Sequence, residues 1–158
     1  MLGSKVAFGL LIGTAVAVLF VVPAQGSAQT PCADLYARSP LEDLTRCADQ
    51  GHAPSQSALG FKYASGQGVT EDDAEAVRWY RLAAEQGNAG AQWSLGTMYE
   101  NGDGVEESTV LAFMWWTVAA AEEYASAVES IDIVEGGMSA AQVEEGERLA
   151  REWMAAHP

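Results

Sequence analysis

Apolar residues recur at helical spacing in two neighbouring segments of the chain. In the first segment Leu59 and Tyr63 are four residues apart, and in the second Leu95 and Tyr99 repeat that spacing, so each pair lies on one face of a helix. A pair of glycines follows each time, and after it comes a second run of small and aromatic residues spaced at three and four. These runs are Ala76, Trp79, Ala83 and Ala84 in the first segment and Ala112, Trp115, Ala119 and Ala120 in the second. The pattern predicts two helical hairpins, one after the other.

The two segments are copies of one repeat. When residues 53–88 are aligned with residues 89–124, an offset of 36 residues, the leucine, the tyrosine, the tryptophan and the glycines fall on identical residues. A repeat of this length is typical of a stacked array of helix hairpins. In each copy a glycine, Gly60 or Gly96, stands beside the leucine, where the missing side chain lets a second helix approach closely. We therefore expect the repeated tryptophans of the second helices to pack against these glycines.

The glycine pair between the helices, Gly66 and Gly68 in the first copy, lies next to acidic residues. Glycines beside acids also occur in phosphate loops and metal sites. A turn between two helices accounts for them here, because the glycines supply the positive φ angles of a tight turn and Thr70 offers an N-cap. The acids Glu71 to Asp73 then face the positive end of the helix dipole. We expect no metal, because the segment lacks the alternating oxygen ligands of a calcium loop.

Partial units flank the two copies. Residues 29–52 match the end of a repeat and are expected to form a truncated hairpin, in which Cys32 to Arg38 is a stub of the first helix. Residues 125–158 begin a third copy, which breaks at a Gly-Gly-Met sequence and gives way to a C-terminal capping helix. Ser139 and Gln142 form an S-x-x-Q capping box for that last helix. Arrays of this kind usually need about three repeats, so the partial units complete the stack.

Residues 1–28 have the pattern of a secretory signal peptide. Lys5 is followed by 17 uncharged, mostly apolar residues, Val6 to Val22, and then by Pro23 and several small residues. An uncleaved membrane anchor is the alternative, although the apolar stretch is slightly short for a bilayer core. Cleavage between Gln25 and Gln29 would release a periplasmic or secreted chain. Contact with a membrane is expected only if the segment is retained.

The charge of the chain limits the class of its partners, and its two cysteines indicate a disulfide. The net charge of −14 argues against nucleic acid as a partner, since nucleic-acid binding depends on Lys and Arg contacts with phosphates. Two cysteines in an exported chain favour a disulfide, and an antiparallel hairpin would bring Cys32 and Cys47 together. The alternative is a buried structural thiol at Cys47 with Cys32 free.

Catalytic chemistry has little support in the sequence. The two histidines, His52 and His157, have no obvious sequence neighbour that would complete a Ser–His or Cys–His pair. No phosphate loop, zinc spacing or nucleophile elbow occurs. We therefore expect no enzyme, no metal and no cofactor.

The pattern AxxQxxLGxxYxxGxGVxxDxxxAxxWxxxAAEQGN in residues 53–88 resembles the Sel-one-like repeat, a relative of the tetratricopeptide helix hairpin. Residues 89–124 match less fully, because Glu123 replaces the glycine of the closing hinge and leaves the exit angle of that hairpin open. The resemblance implies an all-α fold, a right-handed α-α solenoid of antiparallel helix hairpins with two full repeats and partial capping units. It also implies a module for protein–protein contact, an adaptor or scaffold, without catalysis by the repeat. The second function it suggests is binding of a cell-wall-derived small molecule, such as peptidoglycan or a β-lactam-like compound. Weak enzymatic activity is the third alternative, and it would need paired carboxylates that meet across the fold.

The resemblance also implies where a partner binds. In tetratricopeptide domains the first helices line the concave face. Positions on these helices that differ between copies are not fixed by packing between helices, so a ligand can determine them. In this chain those positions are Ser57 and Trp93, Phe61 and Thr97, Ala64 and Glu100, and Ser65 and Asn101. Phe61 and Trp93 would be aromatic anchors for a protein or peptide, and Glu100 and Asn101 would bind its polar or basic groups. The alternative for Trp93 is packing between neighbouring repeats.

Overall fold

The structure, a computed structural model, describes residues 31–35 and 39–158, and every regular element in these residues is a helix. The signal-peptide prediction for residues 1–28 lies outside the described residues. None of the helices in the described part is long and apolar enough to cross a membrane. A short 3-10 helix, Cys32–Asp34, is followed by α1 (Leu41–Asp49), α2 (Ala53–Ser65), α3 (Asp73–Ala84), α4 (Ala89–Asn101), α5 (Thr109–Ala121), α6 (Ala125–Glu135) and α7 (Ala140–Ala156).

The helices stack as successive hairpins. Helix α2 packs against α3, and α4 packs against α5, which makes the two full hairpins. Helix α1 covers α2 at one end, and α3 contacts α4 where the two hairpins meet. Helices α6 and α7 both pack against α5 at the other end. The predicted all-α solenoid is therefore confirmed.

Helix α5 is apolar around its whole circumference. Its sequence TVLAFMWWTVAAA contains no charged residue, and Phe113, Met114 and Trp116 are all buried although they point in different directions. A helix of this kind needs cover on every side, and α4, α6 and α7 supply it. Gly146 of α7 allows one of these contacts, because a Cβ atom there would overlap the ring of Phe113.

Gly60 and Gly96 are positions of close helix approach, as expected. The side chains that lie over them are not those of the repeated tryptophans. A Cβ atom at Gly60 would lie 2.8 Å from the ring of Tyr80, and a Cβ atom at Gly96 would overlap Trp116. Both aromatic residues stand one position after the repeated tryptophans. The second helix therefore approaches as predicted, with a different side chain over the glycine.

The prediction that Trp79 and Trp115 cover the glycines is wrong. Trp79 packs with Ala48 and Leu59 towards the preceding unit, and the ring of Trp115 lies edge-on to that of Trp153 with 5.4 Å between centroids. A shift of one residue turns a helical side chain by about 100°. The residues that are identical in the two copies show which positions recur, but they do not show which of two neighbouring side chains points at the glycine.

The turn inside the first hairpin has the predicted glycine conformation but a different helix cap. Gly66 and Gly68 have φ angles of 64° and 80°. The N-cap of α3 is Asp72 and not Thr70, because Asp72 Oδ1 accepts a hydrogen bond of 3.0 Å from the backbone amide three residues later. The Asp72 amide donates to the carbonyl of Tyr63 at 3.0 Å. This bond closes the turn at Asp72, so the helix starts after it.

The hinges between successive units are 36 residues apart, at Gly51, Gly87 and Glu123. Their φ angles are 86°, 78° and 59°, so all three residues have the left-handed conformation. Glu123 is the one non-glycine residue with a positive φ in the described part of the chain. The missing glycine therefore does not change the hinge conformation, but it leaves backbone strain at Glu123.

Both ends of the stack are fixed as predicted. Cys32 and Cys47 form a disulfide with their Cα atoms 5.6 Å apart, and Cys47 is fully buried beside Leu44. The alternative of a free Cys32 thiol is therefore excluded. At the other end Ser139 and Gln142 form the capping box of α7. The backbone N–H of Gln142 donates to Ser139 Oγ at 3.4 Å, and the backbone N–H of Ser139 donates to Gln142 Oε1 at 2.9 Å.

Candidate functional site

The first helices of the two repeats, α2 and α4, form the walls of an open groove of about 430 Å³. Three of the predicted site residues line it: Ser57 and Phe61 from α2 and Trp93 from α4. Tyr80 of α3 also lines the groove, and burial raises the pKa of its phenol, an effect that a hydrogen bond with Ser94 partly offsets. Phe61 is 44% exposed, so the groove presents an aromatic ring to solvent.

Trp93 is held by neighbours on three sides. Its Nε1 donates to Ser130 Oγ of α6 at 3.1 Å, and its carbonyl oxygen accepts from Trp116 Nε1 at 3.1 Å. Its ring centroid lies 6.1 Å from that of Tyr124. Trp93 therefore packs between successive units, which is the alternative stated for it above, and it also lines the groove. Its role as an anchor for a partner stays a prediction.

Glu100, near the end of α4, lines a second open groove of about 470 Å³ between α4, α5 and α6. Its Oε2 atom is buried and has no hydrogen-bond partner within residues 31–35 and 39–158. The groove has apolar walls that include Trp116, Val134 and Ile133, and Ile133 is 75% exposed. A buried carboxylate oxygen beside apolar walls suits a side chain that carries a hydrogen-bond donor on an aliphatic stem.

Ile133 was not among the predicted site residues, although the sequence contains the signal. It lies 36 residues after Thr97 and 72 residues after Phe61, so it is the third-copy counterpart of both. The predicted site positions come from the two full copies, which end at residue 124, whereas residues 125–158 contain only a partial third copy. One further interval places an exposed apolar residue at the same position as Phe61.

The other predicted site residues, Ala64, Ser65, Thr97 and Asn101, line neither groove. Ala64 packs against the core. Ser65 and Thr97 each donate a hydroxyl hydrogen bond to the carbonyl four residues earlier in the same helix. Asn101 donates a hydrogen bond to an aspartate in the following turn. Contact between these four residues and a partner stays a prediction.

The two grooves form one surface along α2, α4 and α6, joined by the hydrogen bond between Trp93 and Ser130. We call this surface the α2–α4–α6 face. It is defined by Ser57, Phe61, Trp93, Glu100, Ser130 and Ile133.

A histidine–serine contact is present, contrary to the sequence expectation. His52 Nδ1 lies 2.8 Å from Ser55 Oγ. Ser55 is fully buried in the first turn of α2, so its hydroxyl is not exposed to solvent. Among the described residues no cluster of His, Cys, Asp and Glu is able to hold a metal ion.

The repeated hairpins place the chain in the class of helical-repeat arrays. The Sel1 repeat family matches residues 53–88 and 89–124. The chain therefore contains two Sel1 repeats. No match to a curated protein was found.

Two solved structures are similar to the chain. A protective antigen present in uropathogenic Escherichia coli strains, which displays an SLR fold, is 32% identical with a TM-score of 0.71 over 73% of this chain. A Sel1 repeat protein from Oxalobacter formigenes is 37% identical with a TM-score of 0.51 over 51% of this chain. The chain spans 25% of the length of the first protein and 62% of the second. Sel1 repeats generally mediate protein–protein interactions, and the family typically provides scaffolds without enzymatic activity.

Proposed function

We propose that this chain is an exported interaction module that binds a protein segment along the α2–α4–α6 face. The Sel1 repeats support protein binding in general. The observation that carries the proposal is the equivalence of Phe61 and Ile133, two exposed apolar residues that stand two repeats apart on either side of Trp93. Single exposed apolar residues are common, and the copy between these two has the polar Thr97 at this register. Two exposed apolar residues beside two neighbouring grooves support one contact surface along the face.

The charge distribution favours a neutral or basic partner. The chain carries a net charge of −14, and Glu100 contributes a carboxylate oxygen without a partner in the described structure. A Lys or Arg side chain of the partner would place its aliphatic stem against Ile133 and its charged end near Glu100.

The openness of both grooves supports a protein segment as the ligand. A site for a small molecule usually encloses most of the ligand surface. The grooves beside Phe61 and Glu100 are instead open to solvent and follow one another along the same face. An extended or helical segment of a protein therefore fits this surface better than a cell-wall-derived small molecule.

Export is the second part of the proposal. The pattern of residues 1–28 is that of a signal peptide, and the Cys32–Cys47 disulfide is of a kind that persists in oxidising compartments. We expect a mature chain that begins between Gln25 and Gln29 and resides in the periplasm or outside the cell. Mass spectrometry of the protein from its native host tests this directly. A chain that retains the segment in the membrane fraction would instead indicate an anchored protein.

Binding along the face is tested with a photoreactive amino acid at defined positions. Phe61 and Ile133 are the test positions, and Glu144, exposed on α7 outside both grooves, is the control. We expect irradiation in the native host to give a defined protein adduct from the two test positions and none from the control. Equal adducts from all three positions, or none from the test positions, would contradict the proposal.

A further inference from the structure

A third pocket, of about 490 Å³, lies away from the α2–α4–α6 face and shares no residue with its two grooves. It is formed where the ends of α3, α5 and α7 meet the start of α4. Its lining includes Glu85, Gln92, Val118, Glu122, Trp153 and Met154. We call it the Gln92 pocket. It combines two acidic side chains with a buried amide and apolar walls.

The buried amide of Gln92 is only half satisfied. Gln92 is 1% exposed, and its Nε2 donates to the carbonyl of Ala84 at 3.2 Å. Its Oε1 is buried and accepts no hydrogen bond in the described part of the chain. A buried acceptor without a donor is unusual in a folded protein and marks a place where a donor from outside the chain would stabilise the structure.

The first repeat shows how the same amide is completed. Gln56, 36 residues earlier, donates through Nε2 to the carbonyl of Ala48 at 3.1 Å, as Gln92 does to its own counterpart. Its Oε1 accepts a hydrogen bond of 2.7 Å from Gln86 Nε2. The amide of the first repeat therefore has both of its partners within the chain.

The second repeat lacks this internal donor. The counterpart of Gln86, 36 residues later, is Glu122, and an ionised carboxylate accepts hydrogen bonds but cannot donate them. The substitution removes the donor for Gln92 Oε1 and adds a negative charge to the same pocket. Glu85 adds a second acidic group to the lining. The pocket therefore contains three groups that accept hydrogen bonds, namely Gln92 Oε1 and the carboxylates of Glu85 and Glu122. In the first repeat the equivalent amide oxygen is bonded within the chain.

We propose that the Gln92 pocket binds a primary ammonium group carried on a short aliphatic chain. An ammonium has three donors and no acceptor, which matches the Gln92 Oε1 atom and the carboxylates of Glu85 and Glu122. The aliphatic chain lies against Trp153 and Met154, which line the pocket and are both partly exposed. A lysine side chain of a partner and a free alkylamine both present this chemistry.

The test uses n-butylammonium chloride as the probe and the NMR signals of the Gln92 side-chain amide and the Trp153 indole as the readout. Glu122→Gln restores the donor of the first repeat and removes the charge, while Glu144→Gln makes the same charge change on exposed α7. A ligand of this size is expected to bind with a dissociation constant in the millimolar range. We expect saturable shifts in the wild type and in Glu144→Gln. Loss of the charge-assisted contacts in Glu122→Gln should weaken binding about tenfold or more.

Two further outcomes are decisive. Nα-acetyl-lysine methylamide, titrated in parallel, distinguishes the sources: shifts equal to those of n-butylammonium mean that a lysine in a protein chain is accepted, and shifts from n-butylammonium alone restrict the site to free amines. The proposal is overturned if the wild type gives no saturable shift, or if Glu122→Gln binds the probe as the wild type does. Since Glu122 is exposed, a thermal melt of Glu122→Gln at or above the wild-type midpoint shows that any loss of binding is not caused by unfolding.

Discussion

Gly96 of α4 and Trp116 of α5 are in direct contact across the second hairpin. The indole occupies the space that a Cβ atom at position 96 would need, and its Nε1 donates a hydrogen bond of 3.1 Å to the carbonyl of Trp93 on the same helix as the glycine. This one contact joins the two helices of the repeat and also holds the backbone of a residue that lines the proposed binding face.

Gly96→Ala is expected to destabilise the protein by about 2 kcal/mol, because the added methyl group forces the indole of Trp116 out of place. Gly90→Ala in the same helix is the control. Its Cβ atom would meet only Asn88 Oδ1 at 3.4 Å, so the better helix propensity of alanine should leave stability unchanged or slightly higher. Urea unfolding of the two variants measures the difference. Equal midpoints would show that the close approach at position 96 is not a constraint.

Glu123→Gly should stabilise the protein by about 1 kcal/mol, because glycine adopts the left-handed conformation of this hinge without strain. The matched control is Glu129→Gly, which places the same substitution at an exposed position inside α6. There glycine should destabilise by about 1 kcal/mol. Chemical denaturation reports both values, and a loss of stability in Glu123→Gly would show that the glutamate makes a compensating contact.

Reduction of the Cys32–Cys47 disulfide should lower the free energy of unfolding by roughly 3 kcal/mol, the loop-entropy value for a separation of about 15 residues. The comparison is thermal unfolding with and without dithiothreitol. Cys32→Ser should match the reduced wild type and should not respond to the reductant. If dithiothreitol leaves the wild-type midpoint unchanged while mass spectrometry shows two thiols, the disulfide does not stabilise the truncated first unit.

Stability should depend on the ionisation of Tyr80 at alkaline pH. Burial raises the pKa of its phenol in the folded state, so the unfolded chain loses this proton first. The contribution is constant below the ordinary tyrosine pKa of about 10 and is lost as the pH rises from there through the folded-state pKa. Tyr80→Phe should therefore show a shallower fall in unfolding free energy above about pH 10 than the wild type. Parallel curves for the two proteins would contradict burial of an ionisable phenol at this position.

Features that depend on local sequence could be predicted without the structure. The glycine turn at Gly66, the capping box at Ser139 and the disulfide at Cys32 each depend on short-range pattern or on one hairpin. Because the same pattern recurs 36 residues later, the helices predicted for the first hairpin were also predicted for the second. The fold was therefore predictable to the level of its helices and their order.

Features that depend on helix phase and on contacts between units could not be predicted. Tyr80 and Trp116, not the identical tryptophans, lie over the glycines because one residue along a helix changes the direction of a side chain. Asp72 is the cap because its amide bonds across the turn. The position of Ile133 follows from one further interval of 36 residues and could have been predicted, whereas the open acceptor of Gln92 appears only when the two repeats are compared in three dimensions.

The most direct test of the central claim is the affinity of the protein partner identified by cross-linking for three variants of the mature chain. Phe61→Ser and Ile133→Ser remove the two equivalent apolar residues of the α2–α4–α6 face, and Val128→Ser removes an exposed apolar residue of α6 that lines neither groove. We expect calorimetric titration to show about tenfold or greater loss of affinity for the first two variants, as for anchor residues of an interface, and wild-type affinity for the third. Wild-type affinity for both Phe61→Ser and Ile133→Ser, in chains that melt normally, would contradict binding along this face.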